Sequence, residues 1–190
     1  MDSLNNDGHP QISDLPGRQP GFPPNATYTA HMASEPILNF DGLDLSKDLF
    51  TKSDTLEVLK QRGTFEMLDG VLHRDEEANL IVGYKEIRKT DWWASDHIPG
   101  RPLFPGALMV EGAAQLCTFD FLQRKPEMKD TFIGFGGLDG TRFRSAVEPD
   151  CRLIIAGRVE RIRSRMFIYY TQGYVDRKLA FETIIRGVVV

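Results

Sequence analysis

The segment that most restricts the fold runs from Pro105 to Arg124, "PGALMVEGAAQLCTFDFLQR". Pro105-Gly106 opens a helix, because proline's fixed φ and missing N–H suit a first turn. The residues that follow are apolar on nearly every side for about three turns. A helix of that kind has no face to turn to water, so other elements must enclose it. Arg124 and Lys125 complement its negative end, and Pro126 stops it.

The rest of the chain supplies the material for such an enclosure. Downstream, "TFIGFGGLDGTRF", "CRLIIAGRVERIR", "MFIYYTQGYVD" and "LAFETIIRGVVV" are β-rich runs separated by "EPD", Ser164 and "DRK", which predicts a meander of about four antiparallel strands. Upstream, "GVLHRDEEANLIVGYKEIR" predicts a hairpin turning through "DEEAN". Asp54 with Glu57 resembles a capping box and predicts a short helix through "TLEVLKQR", stopped by Gly63. The prolines of "DWWASDHIPGRPLFP" predict a long loop. The fold class expected is α+β, a curved antiparallel sheet wrapped around one central buried helix. Residues 1–42, rich in Pro, Asn, Ser and Gly, predict a flexible or loosely docked arm, leaving 43–190 as the folded domain.

Composition removes several function classes. The net charge of -4 argues against a nucleic-acid binder. No run approaches the roughly 20 apolar residues needed to span a bilayer, so no membrane insertion is expected. The first residues lack the basic start and apolar core of a signal peptide, which points to a cytoplasmic protein. There Cys117 and Cys151 are expected as buried thiols rather than a disulfide. His9, His31, His73 and His97 are scattered, so no metal site is predicted.

Chemistry concentrates in "DHIPGRPLFPGALMVEGAAQ". His97 can take a proton near neutral pH. A carboxyl such as Glu111 in an apolar helix would be pushed toward its protonated form and serve as an acid. A neutral base beside a protonated acid is the pair that eliminates water from a β-hydroxyacyl compound. At the helix start the N–H of Gly106 could hold a carbonyl oxygen as charge develops on it. Each residue also has a structural alternative. His97 could simply be solvated, Glu111 could pair with a core arginine, Pro105-Gly106 could be an ordinary helix start, and Gln115 could merely satisfy the carboxyl one turn before it. Spacing alone leaves both sets open.

The same stretch resembles the signature of the FabZ-type 3-hydroxyacyl-acyl carrier protein dehydratases, with His97, Pro99, Pro102, Pro105, Gly106, Leu108, Glu111, Ala114 and Gln115 falling on it without a gap. Weaker similarity covers "RGTFEMLDGV" through Arg62, Phe65, Leu68, Asp69 and Val71, and "TRFRSAVEPDCRLII" through Arg142, Phe143, Arg144, Val147, Pro149 and Leu153. The resemblance extends from about Asp54 to Val190. It implies a hotdog fold, His97 and Glu111 as catalytic residues, and Phe104, Pro105, Gly106 and Gln115 as substrate-binding residues. It also implies a homodimer whose sites each combine His97 of one subunit with Glu111 of the other, and it allows a trimer of dimers. No cofactor is implied. The acyl chain would arrive on the phosphopantetheine arm of acyl carrier protein.

Departures from the family pattern are Asp96 and Ile98 around the histidine, Gly112 in place of Ala, and Lys60-Gln61 in place of Pro-His. Asp96 could raise the pKa of His97, and Gly112 could leave room for an acyl chain. Glu111, rather than Asp, argues against the isomerising branch. Arg142, Arg144, Arg152, Arg158, Arg161, Arg163 and Arg165 against Glu148, Asp150 and Glu160 suggest a basic rim for an acidic carrier. Two other classes fit the same sequence: a thioesterase or thioester hydratase acting on coenzyme A, and a non-catalytic acyl-binding dimerisation module.

Overall fold

Helix α3 spans Gly106–Arg124 and is buried from Met109 to Leu122 except at Glu111 and Thr118. It lies against a seven-stranded antiparallel sheet in a computed structural model that describes residues 35–190. Residues 1–34 of the expected arm lie outside the described residues. The strands are β1 (Phe50–Thr51), β2 (Gly70–Asp75), β3 (Leu80–Ile87), β4 (Ile133–Phe143), β5 (Cys151–Arg163), β6 (Met166–Val175) and β7 (Lys178–Val189), in the order β1-β2-β3-β5-β6-β7-β4. This is the α+β hotdog arrangement. Among the described residues no helix is long and apolar enough to cross a membrane.

The upstream hairpin forms as predicted, with β2 paired to β3. The meander holds for β5, β6 and β7, and Asp176 and Arg177 adopt the left-handed conformation (φ 49° and 63°) that suits a two-residue hairpin. β4 departs from it. It pairs with β7 rather than β5, because the free side of β3 already takes β5, and this leaves β4 as an edge strand. Local pattern marks a strand but carries no information about a partner some forty residues away.

Two local elements also differ from the sequence expectation. Helix α1 covers Lys52–Val58, and its capping box is Thr51 with Asp54, not Asp54 with Glu57. The Thr51 N–H donates to the Asp54 carboxylate at 2.7 Å, and the extended Thr51 presents its hydroxyl to the Asp54 N–H. The helix ends early because the Arg62 guanidinium binds the carbonyls of Leu56 and Leu59, satisfying groups the last turn leaves open. The long loop contains a short helix, α2 (Trp93–Asp96), anchored by Trp93, which is buried and meets Phe104 edge-on at 5.2 Å.

The two halves of α3 are held differently. In the N-terminal half small residues allow close approach. A Cβ on Gly112 would lie 3.1 Å from the Met67 carbonyl and 3.2 Å from Ile155 Cδ1, so the space left by the missing methyl is filled by the chain itself and is not room for an acyl group. In the C-terminal half Asp120, fully buried, accepts from Arg74 Nε at 2.7 Å, Arg124 Nε at 2.8 Å and the Tyr169 hydroxyl at 2.5 Å. Burial and the adjacent Asp120 push the Tyr169 hydroxyl far above its usual pKa, so it remains a donor. Both cysteines are free thiols. Burial raises both, Cys151 to about 11.

The outer face of the sheet is also covered. Ile37, Leu38, Phe40, Leu43 and Leu45 pack with Val82, Ala156 and Tyr174. The Ile37 N–H donates to Gln172 Oε1 at 2.8 Å, and Phe40 meets Tyr174 edge-on at 5.3 Å. Asp120→Ala strands two arginines and a tyrosyl hydroxyl, and urea denaturation should show a loss of about 3–5 kcal/mol.

Candidate active site

The loop before α3 turns at Gly100, where φ is +81°, and carries His97 on the exposed side of the chain. His97 Nδ1 lies 2.9 Å from the Leu103 carbonyl oxygen. A carbonyl can only accept, so Nδ1 carries the proton and the lone pair is on Nε2. Asp96 does not engage the ring; its carboxylate accepts from the Ser95 hydroxyl at 2.6 Å. Phe104 is buried, and its N–H donates to the Val147 carbonyl at 2.8 Å. Pro105 is the N-cap of α3 in an extended conformation, and Gly106 is its first residue, whose N–H has no acceptor within the helix. His97, Leu103, Phe104, Gly106, Phe143 and Val147 line one cavity of about 530 Å³. A Cβ on Gly106 would fall 2.6 Å from the Phe143 ring, so only glycine lets that ring close over the helix start.

Glu111 is half-buried, one turn further along α3. Gln115 Nε2 donates to its Oε1 at 2.8 Å and to the Phe65 carbonyl at 2.7 Å, while Gln115 Oε1 accepts from the Met67 N–H at 2.9 Å. Both Nε2 hydrogens of Gln115 are thereby used within the chain and its Oε1 takes one N–H, so the amide holds Glu111 in place. Glu111 Oε2 has no hydrogen-bond partner among the described residues, nor does any arginine pair with this carboxylate there. Glu111 opens onto a second cavity of about 770 Å³ with Val110, Phe135, Gly137, Leu138 and Thr141, and onto a smaller one of about 150 Å³ with Gln61 and Thr118.

His97 and Glu111 therefore face different openings within one chain. Ala107 and Phe143 line both larger cavities and form the partition between them. Three of the less buried positions of α3, Ala107, Glu111 and Thr118, fall on one stripe at helical spacing. Opposite that stripe β4 exposes Phe135, Leu138 and Phe143, at 52%, 45% and 53% of their surface, with Phe132 just before it. This edge strand thus presents an exposed apolar patch beside the stripe. Phe143, Leu103 and the Phe65–Met67 backbone were not singled out from sequence as parts of the site. The only signal for them was the weaker similarity around Phe65 and Phe143.

The arginine-rich interval is less uniform than its sequence suggested. Arg144 pairs with buried Glu182, Arg152 with Glu86 while stacking on Tyr84, and Arg158 with Glu160. Arg142, Arg161 and Arg163 are exposed and make no ion pair among the described residues. The Arg165 guanidinium donates to the Val189 carbonyl.

Known proteins resemble this chain in sequence and in fold. A FabA-like domain model matches residues 59–184. The 3-hydroxyacyl-[acyl-carrier-protein] dehydratase FabZ of Campylobacter jejuni is 32% identical over 137 residues, spanning 70% of this chain and 93% of that protein. FabZ of Albidiferax ferrireducens is 34% identical over 135 residues, spanning 68% and 89%. Among solved structures, the dehydratase heterocomplex ApeI:P from Xenorhabdus doucetiae superposes with a TM-score of 0.62 at 12% identity over 72% of this chain and 90% of that one, a likeness of fold alone.

Replacing Gln115 tests the framework that carries the carboxylate. Gln115→Leu leaves the buried Met67 N–H unpaired, and thermal or urea denaturation should show a loss of about 1–3 kcal/mol.

Proposed function

Since the chain belongs to the FabA-like family, we propose that it is a hydro-lyase that converts (3R)-3-hydroxyacyl-[acyl-carrier-protein] to the trans-2-enoyl thioester in acyl-chain synthesis. Two observations support the reading: a histidine whose Nε2 is left free by the Leu103 carbonyl and, on the far side of Ala107 and Phe143, a carboxyl held through one oxygen by Gln115. Nε2 of His97 takes the α-proton, the Cβ–O bond breaks, and the Glu111 carboxyl delivers a proton so that the hydroxyl leaves as water. The proton on His97 then returns to Glu111. The Gly106 N–H holds the thioester oxygen while the α-carbon carries charge, aided by the positive end of α3. Elimination of water is redox-neutral, so the reaction itself calls for no electron carrier.

The partition between the two openings supports a site made by two chains. β4 of one copy would lie against β4 of a second, covering Phe135, Leu138 and Phe143 and bringing His97 of one protomer to Glu111 of the other. A trimer of such dimers is the further assembly. The carrier's phosphopantetheine arm would approach from the side where Arg161, Arg163 and Arg165 stay exposed, offering charge to an acidic carrier protein. The cytoplasm, where acyl carriers circulate, is the expected location.

Turnover of 3-hydroxyacyl carrier protein is the direct test. His97→Ala and Glu111→Gln should each lower kcat/KM about 10²- to 10⁴-fold, measured as enoyl product. Mixing the two inactive variants and letting subunits exchange should restore activity at about one quarter of the wild-type site number, because each mixed dimer holds one intact composite site. Wild-type rates in either single variant would sink the assignment of residues. Release of free thiol without enoyl product would indicate a thioesterase instead.

A further inference from the structure

A chain of buried polar groups on the outer face of the sheet has no part in the elimination chemistry. Tyr169 reaches Asp120 on α3, so its neighbour Tyr170 projects from the opposite face, and there its hydroxyl donates to Glu182 at 2.7 Å. Glu182 and Gln172 are fully buried and Tyr170 nearly so. Gln172 Nε2 donates to the Tyr170 hydroxyl at 2.9 Å, and Gln172 Oε1 accepts from the Ile37 N–H. The chain ends on a cation: Arg144 donates through Nε at 3.0 Å, and through Nη2, to Glu182 Oε1. Burial works against the charge on Glu182, but Tyr170 and Arg144 outweigh it and hold the carboxyl below its usual range.

Arg144 belongs to the link Phe143–Val147, all five residues of which line the cavity shared with His97 and Gly106. The link touches the site at two points. The Phe143 ring closes over Gly106, and the Val147 carbonyl takes the Phe104 N–H, next to the Leu103 carbonyl that fixes the His97 ring. On its other side the link is tied to β7, where the Arg144 and Ser145 N–H groups both reach the Ala180 carbonyl, at 2.7 and 3.2 Å. We propose that Arg144 and Glu182 are positioning residues for the elimination. The pair, with Glu182 fully buried and Arg144 partly exposed, clamps the link to β7 from the outer face, and the clamped link sets the placement of the Gly106 N–H and of the loop that carries His97. The proposal rests on the dehydratase reading for which groups react.

A pair that served stability alone could be exchanged for apolar side chains with little loss. The Arg144→Met/Glu182→Leu double variant separates the two roles. It should recover most of the melting temperature lost in Glu182→Leu, yet keep a kcat at least about tenfold below wild type with KM little changed, as expected for groups misplaced only in the transition state. Amide hydrogen exchange over residues 103–108 should be faster in it, while exchange in α3 beyond Ala113 stays as in the wild type. A double variant that regains kcat together with its melting temperature, or whose exchange over 103–108 is unchanged, overturns the proposal. Should the double variant fail to fold, Arg144→Lys keeps the charge and loses the two-point contact. It should fold with lowered kcat and faster exchange at 103–108, and wild-type values of both would overturn the clamp. A wild type that makes no enoyl product would count against the dehydratase reading only, since the exchange comparison still decides whether the pair holds the loop and helix start.

Discussion

Helix α3 has almost nothing polar to show to water, and its enclosure shapes the rest of the molecule. The sheet covers one side. The crossing segment around Met67 presses onto Gly112, where a methyl group would already be too close to a carbonyl oxygen. Buried Asp120 pins the far end through two arginines and Tyr169, an arrangement that gains little net free energy but fixes one placement of the helix. What stays uncovered is the narrow stripe holding Ala107, Glu111 and Thr118, facing the exposed aromatics of β4. The face that the single chain does not cover is the one that carries the carboxylate.

The side chains proposed to react are held by backbone rather than by one another. The Leu103 carbonyl orients the His97 ring, and Gln115 takes both a carbonyl and an N–H from the Phe65–Met67 segment while donating to Glu111. Such ties cost no further ordering once the loop and crossing segment are packed, which is how a rigid scaffold presents a few groups with small positional error. The outer face extends the same logic, with Glu182 and Arg144 tying the cavity wall to β7.

Much of this was legible in the chain itself. An all-round apolar helix after Pro-Gly, a hairpin before it and long β-rich runs after it specify a wrapped helix, because hydrophobic periodicity is a local property. The unbroken run of His97, Pro99, Pro102, Pro105, Gly106 and Glu111 likewise identified the candidate site. Less legible were features that depend on distance. The capping frame at Thr51–Asp54 was misread by three residues, since two overlapping frames satisfy the same pattern and only the extended backbone of Thr51 selects one. Gly112 looked like spare room, although the neighbour that fills it comes from Met67, far away in sequence. Asp96 looked like a partner for His97 because it adjoins it, while its carboxylate turns to Ser95.

The sequence by itself determined most of the elements and the class of fold and singled out the candidate site residues, since propensity, periodicity and motif spacing belong to short stretches. Tertiary structure alone decided that β4 leaves the meander for the edge beside β7, that Arg144 is neutralised by a carboxylate thirty-eight residues away, and that His97 and Glu111 open on opposite sides of Ala107 and Phe143. These are pairings between distant segments, chosen by which surfaces remain free once the helix is enclosed, and no local pattern encodes that competition.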